Sequence, residues 1–134
     1  MRVEPYLYFQ GRCDEAFAFY AEAIGAKVEM LVRFRDMPGG PPDAGDKVMH
    51  ALVRIGESTL LASDGQNRGA PSFDGFALAL SAGSDAEAEA RFAALSAGGE
   101  VTMPMGPTPF AARFGMVKDR FGVHWTVVHQ PAAT

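Results

Sequence analysis

The chain has 134 residues, 48% of them hydrophobic and 21% charged, and carries 16 acidic against 12 basic side chains for a net charge of −4. That is the length of one domain (1–134), enough to bury roughly two-thirds of the unfolded surface, so a packed core is expected rather than disorder. The acidic balance argues against nonspecific nucleic-acid binding, which needs clustered Lys and Arg; Cys13, alone of its kind, excludes an intrachain disulfide; and no apolar run approaches the ~18 residues of a membrane span.

In chain order, the N-terminal residues Met1 to Pro5 lack the apolar stretch of a signal peptide, so a cytoplasmic protein is expected. Val3 to Phe9 is β-prone and aromatic, and Gly11 ends it. From Cys13 to Ile24 the apolar residues recur at helical spacing, Asp14 and Glu15 sit in the first turn, and Gly25 stops the helix. Lys27 to Phe34 reads as a strand, and the Pro- and Gly-rich segment 36–46 as an irregular loop. Val48 to Ile55 and Ser58 to Ala62 read as strands joined by a tight turn at Gly56 and Glu57.

The second half begins with a strand from Phe73 to Leu80. A capping box at Ser84 and Glu87 then opens a helix that turns Ala88, Phe92 and Leu95 inward and ends at Gly98 and Gly99. Glu100 to Met103 reads as a short strand followed by a Pro-rich loop. Phe114 to Lys118 and Val123 to His129 pair across the turn 119–122. Each half therefore runs strand, helix, three strands. The fragments 14–20 (DEAFAFY) and 86–92 (AEAEARF) superpose at an offset of 72 residues. The expected fold is α+β: two βαβββ modules, 3–63 and 73–129, forming a cup-shaped mixed sheet with helices outside. The eight-strand count disfavours the competing ferredoxin-like sandwich.

Several short stretches carry a likeness beyond element order. They are Pro5-Tyr6-Leu7 before Phe9-Gln10-Gly11, Glu15-Ala16 with Phe19-Tyr20 and Ile24-Gly25, Val48-Met49-His50-Ala51 with Arg54-Ile55-Gly56, Leu61 to Asp64, and Val117-Lys118-Asp119 through Phe121-Gly122-Val123 to Trp125. Over residues 3–129 this set resembles the vicinal oxygen chelate superfamily of glyoxalase I, extradiol dioxygenases and bleomycin-resistance proteins. Within it the chain is similar to the PhnB-like branch, whose members often carry a 3-demethylubiquinone methyltransferase label. The resemblance implies curved sheets enclosing a cup. In the superfamily's enzymes, His and Glu side chains from the first and last strand of each module hold a divalent Lewis-acid metal there.

Carried onto this chain in the glyoxalase register, those ligand positions fall at Pro5, at Leu61 or Ala62, at Phe76 and at Thr126. Pro, Leu, Ala and Phe side chains cannot ligate and a lone Thr is a poor ligand, so these missing ligands lead us to expect no metal and no other cofactor, with a divalent metal as the alternative. The remaining histidines, His50, His124 and His129, would have to build a different site, and catalytic zinc needs about three protein ligands. Cys13 at a helix start could have a lowered thiol pKa, although a structural role is the plainer reading.

His50, mid-strand after the loop, is the side chain most suited to donate a hydrogen bond or act as a base toward a ligand. Tyr8 and Trp125 have polar tips on apolar rings, Phe76 could line a pocket, and Arg113 could hold a carboxylate; for each, a core or solvent-facing role is the alternative. Ser63-Asp64-Gly65 reads as a turn. No GxGxxG, Walker or GxSxG motif is present, and no Gly-rich turn suits S-adenosylmethionine. The reading is a protein that binds a small organic ligand in its cup without the usual metal. The alternatives are a metal-dependent lyase or dioxygenase with a displaced site around His50, and an antibiotic-sequestering resistance protein. Apolar sheet faces, attributed to residues such as Phe76, Leu78, Phe114, Met116 and Trp125, lead us to expect a homodimer, with no nucleic-acid or membrane partner.

Overall fold

Alternation along the strands and 3.6-residue spacing along the helices sort this chain into the same five elements twice over. The computed structural model describes residues 1–37, 45–65 and 69–131. In chain order the elements are β1 (Tyr6–Tyr8), α1 (Cys13–Ile24), β2 (Lys27–Arg33), β3 (Val48–Ile55), β4 (Ser58–Ser63), β5 (Leu78–Ser81), α2 (Asp85–Ser96), β6 (Glu100–Thr108), β7 (Ala111–Lys118) and β8 (His124–His129). The chain divides into two compact units, Met1–Pro71 and Ser72–Thr134. Each is a βαβββ module with one four-stranded mixed sheet, ordered β1-β4-β3-β2 in the first and β5-β8-β7-β6 in the second. In both, the first strand runs parallel to the last and the other pairs are antiparallel. The α+β expectation and its βαβββ modules therefore hold.

In the first unit, Leu7, Ala51, Val53, Leu60 and Ala62 alternate onto one face and are buried. Phe9 continues that side, and its ring meets Phe17 and Tyr20 of α1. The opposite face carries the row Tyr6, Leu61, Leu52 and Met30, aligned by the strand register. In the second unit α2 packs on β7 and β8. A Cβ added at Gly115 would lie 2.7 Å from Phe92 Cε1, so glycine is what lets helix and sheet approach there. Val117, Trp125 and Val127 share that helix-covered face, while Ala79, Thr126, Met116 and Met103 line up on the other.

Some boundaries differ from the sequence expectation. β1 is only three residues long, because Pro5 has no N–H to donate and the chain turns at Gln10 (φ 50°). Residues 73–77 are not strand: β8 starts at His124, opposite residue 77, so anything earlier lacks a neighbour. Phe34 leaves β2 for a single 3-10 turn, Phe34–Asp36. Of the expected loop 36–46, residues 38–44 lie outside the described residues.

The largest correction is β6. The Pro-rich stretch expected to be loop is strand to Thr108, paired with β7 through irregular register. Pro104 and Pro107 fall where the register shifts, on an edge strand, so their missing N–H groups break no ladder bond. The hydroxyl half of the expected capping box forms, with Glu87 N–H donating to Ser84 Oγ at 3.0 Å.

Candidate functional site

Period-two alternation turns Tyr6 and Tyr8 to the same side of β1, and the register sets His50 of β3 on that side too. The two tyrosine rings stack with centroids 4.9 Å apart and are 37% and 50% exposed. The Tyr6 hydroxyl lies 2.8 Å from His50 Nδ1, and the rings of this pair are 5.6 Å apart. Partial burial, then the neighbouring Tyr8, push the Tyr6 phenol above its ordinary pKa, so it stays a protonated donor at neutral pH. Leu61, Leu52 and Met30 extend this aromatic corner as an apolar row. The arrangement combines flat apolar surface with oriented polar tips, which is the makeup of a small-molecule contact surface. Tyr8 and His50, singled out from sequence, are thus brought together by Tyr6, whose link to His50 follows from the cross-strand register.

Behind this corner, the supposed turn at Asp64 is a buried anchor. Asp64 is 1% exposed; its Oδ1 accepts from Gly11 N–H (3.0 Å) and Cys13 N–H (2.8 Å), and its Oδ2 accepts from Val48 N–H (2.8 Å). Arg12 at the helix cap position makes no side-chain cap bond, so Asp64 caps α1 from the end of β4. One carboxylate therefore ties the start of α1 to the start of β3, two residues from His50. Cys13 takes the plainer, structural reading. Burial first, then the charge of Asp64, push its pKa far up, so it is an unreactive core residue.

The remaining candidates lie in the second unit. Trp125 is 3% exposed on the helix-covered face, and its indole N–H donates to Asp119 Oδ2 at 2.8 Å. Arg113 projects on the same face, where it bonds Glu89 Oε1 at 3.0 Å and lies 3.6 Å from Asp85 of α2. Leu78 shares that side, so of the apolar set expected on the uncovered face, Phe114 and Met116 are there while Leu78 and Trp125 are not. Phe76 precedes β5 and is 47% exposed. His129 is half-buried, with Nδ1 2.9 Å from the Ala82 carbonyl, and His124 pairs with Asp74 at 3.3 Å.

The ligand positions can be placed as well. Leu61 faces Tyr6 across β1 and β4, and Thr126 faces Ala79 across β5 and β8, so Phe76 is not the residue opposite Thr126. Among the described residues no three His, Cys, Asp or Glu side chains gather as a metal-ligand cluster. No helix among the described residues is long and apolar enough to cross a membrane.

Against known proteins, residues 1–128 match the family model described as 3-demethylubiquinone-9 3-methyltransferase. Protein YjdN of Escherichia coli is 33% identical over 95% of this chain and 94% of its own length. The crystal structure of PA1353 from Pseudomonas aeruginosa is 44% identical, covers 97% of this chain and 98% of that one, and superposes with a TM-score of 0.87. A PhnB protein from Bacillus cereus, named for the same methyltransferase, shares the fold at 23% identity, a TM-score of 0.81, and coverage of 96% and 99%. Glyoxalase-related and bleomycin-resistance/dioxygenase domains share it at 19% identity.

Proposed function

The chain belongs to the family described as 3-demethylubiquinone-9 3-methyltransferase, the PhnB-like branch of the vicinal oxygen chelate superfamily, and from that premise we propose that it binds a small organic ligand on the exposed face of its first sheet, without a bound metal. Tyr8 and His50 hold the ligand. The observation that carries this reading is the half-exposed Tyr6–Tyr8 stack, joined to His50 by a hydrogen bond on the sheet face away from α1. Exposed stacked aromatics offer a ring-shaped ligand apolar area at little entropic cost, and the polar tips orient it. In the second unit Trp125 and Arg113 serve the fold. The protein is cytoplasmic on this reading; a single, buried, inert thiol suits a reducing compartment.

Titration with a panel of small aromatic compounds, followed by NMR of the Tyr8 and His50 rings, is expected to give saturable shifts. Tyr8→Ala or His50→Ala should weaken binding about tenfold, or about 1.4 kcal/mol, and EDTA should leave it unchanged. Loss of binding on chelation would transfer the case to the metal-dependent enzymes of the superfamily.

The same chain is a homodimer on this reading. Met103 is a large exposed side chain on the face that α2 leaves uncovered, which it shares with Phe114 and Met116, and a two-fold pairing covers such a face and closes without a residual edge. Light scattering should return twice the 14.3 kDa chain mass; a single-chain mass at tens of micromolar overturns it.

A further inference from the structure

The hydrogen bond between Tyr6 and His50 does more than tie two strands together. Among the described residues, the Tyr6 hydroxyl has no partner but His50 Nδ1, and His50 Nε2 has none at all. A phenol is a better donor than acceptor, and a neutral imidazole has one nitrogen that accepts and one that donates. An O–H aimed at Nδ1 therefore places the lone pair there and the ring proton on Nε2. The phenol's raised pKa keeps that donor in place across the neutral range. The backbone adds to the constraint: β1 and β3 both pair with β4, so the distance between Tyr6 and His50 is set by the sheet. Tyr8 stacks on Tyr6 and limits how the phenol ring turns.

We infer that Tyr6 is a positioning residue that holds His50 as its Nε2–H tautomer, so that the site selects ligands presenting an acceptor oxygen, a carbonyl or carboxylate beside a flat ring, over ligands presenting an ammonium. This rests on the proposal that the Tyr8–His50 face binds ligand. Within that face the recognition is directional at His50: Nε2–H donates toward the ligand and an ammonium finds no acceptor there, whereas the Tyr8 hydroxyl can donate or accept and does not discriminate. The ring of the ligand lies against Tyr8, the more exposed of the two tyrosines.

The test uses the whole chain, labelled with 15N at histidine, at pH 8, above the ordinary imidazole range near 6.5. Long-range 1H–15N correlation should show His50 protonated on Nε2 and bare on Nδ1. Tyr6→Phe keeps the ring stack but removes the hydroxyl, and should move His50 toward a tautomer mixture while leaving the backbone spectrum otherwise intact. Benzoate and benzylammonium, matched in ring and size, are then titrated. Benzoate is expected to shift both Tyr8 and His50 Nε2, to bind about tenfold more tightly than benzylammonium, and to lose several-fold in affinity in Tyr6→Phe. A wild-type His50 protonated on Nδ1, or benzylammonium binding as well as benzoate, overturns this inference and leaves the ligand face standing. Failure of both probes to move Tyr8 overturns the ligand face and this inference with it. The tautomer measurement on the wild-type protein decides the first point even if Tyr6→Phe fails to fold.

Discussion

Replacing Asp64 by alanine is expected to destabilise the protein by about 3–5 kcal/mol, because three backbone donors lose one charged acceptor at once. The reason is the number of groups left behind. Gly11, Cys13 and Val48 N–H groups all donate to this one carboxylate, at 2.8–3.0 Å. One of those donors, Cys13, opens α1, where the first N–H groups have no intrahelical acceptor, and Gly11 lies just ahead of it. Each buried N–H left without an acceptor costs about 1–3 kcal/mol, and water can recover only part of it. Asp64→Asn should do intermediate damage. Its single carbonyl oxygen can serve one side of the cluster, while its amide turns a donor toward another donor. Melting temperatures should fall by roughly 10 °C or more for the alanine variant, and a loss under ~1 kcal/mol would mean that the cluster does not hold α1 to the sheet. His50 begins two residues after Val48, so the same variant should also blur the His50 and Tyr6 resonances.

Asp119→Ala is expected to cost about 2–4 kcal/mol by the same physics in the second module. Asp119 is 3% exposed, and its Oδ1 accepts from Phe121 N–H (2.9 Å) and Val123 N–H (3.1 Å), closing the turn between β7 and β8. Its Oδ2 takes the Trp125 indole proton at 2.8 Å. Trp125 is the only tryptophan in the chain, so its emission reports this one environment. In the folded variant the emission should shift as the indole loses its charged acceptor, and guanidinium unfolding followed by the same signal gives the stability loss. An unchanged emission together with unchanged stability would refute the assignment of Asp119 as the residue that fixes both turn and indole.

Both carboxylates show where reading the chain residue by residue stops. In sequence Ser63-Asp64-Gly65 and Asp119-Arg120-Phe121-Gly122 are ordinary turn compositions. A turn aspartate that caps its own backbone looks the same as one that receives a helix start from 51 positions earlier. The difference lies in long-range pairing: β1 runs parallel to β4, and this alone brings Gly11 and Cys13 to Asp64.

What the sequence by itself determined is the local physics. Alternation and helical spacing specify five elements per half, Gly25 in the left-handed region (φ 72°) ends α1, and Ser84 caps α2, because these depend on neighbours within a few residues. The repeated order and the residues of the family resemblance were legible for the same reason. Tertiary structure alone decided the rest. A proline-rich stretch became strand β6 because an irregular edge register tolerates missing N–H groups. Residues 73–77 stayed outside the sheet because no partner strand reaches them. Trp125 and Arg113 went to the helix side, and Tyr6 met His50 across 44 residues of sequence, because side-chain direction in a sheet follows register, and register is set between strands rather than within them.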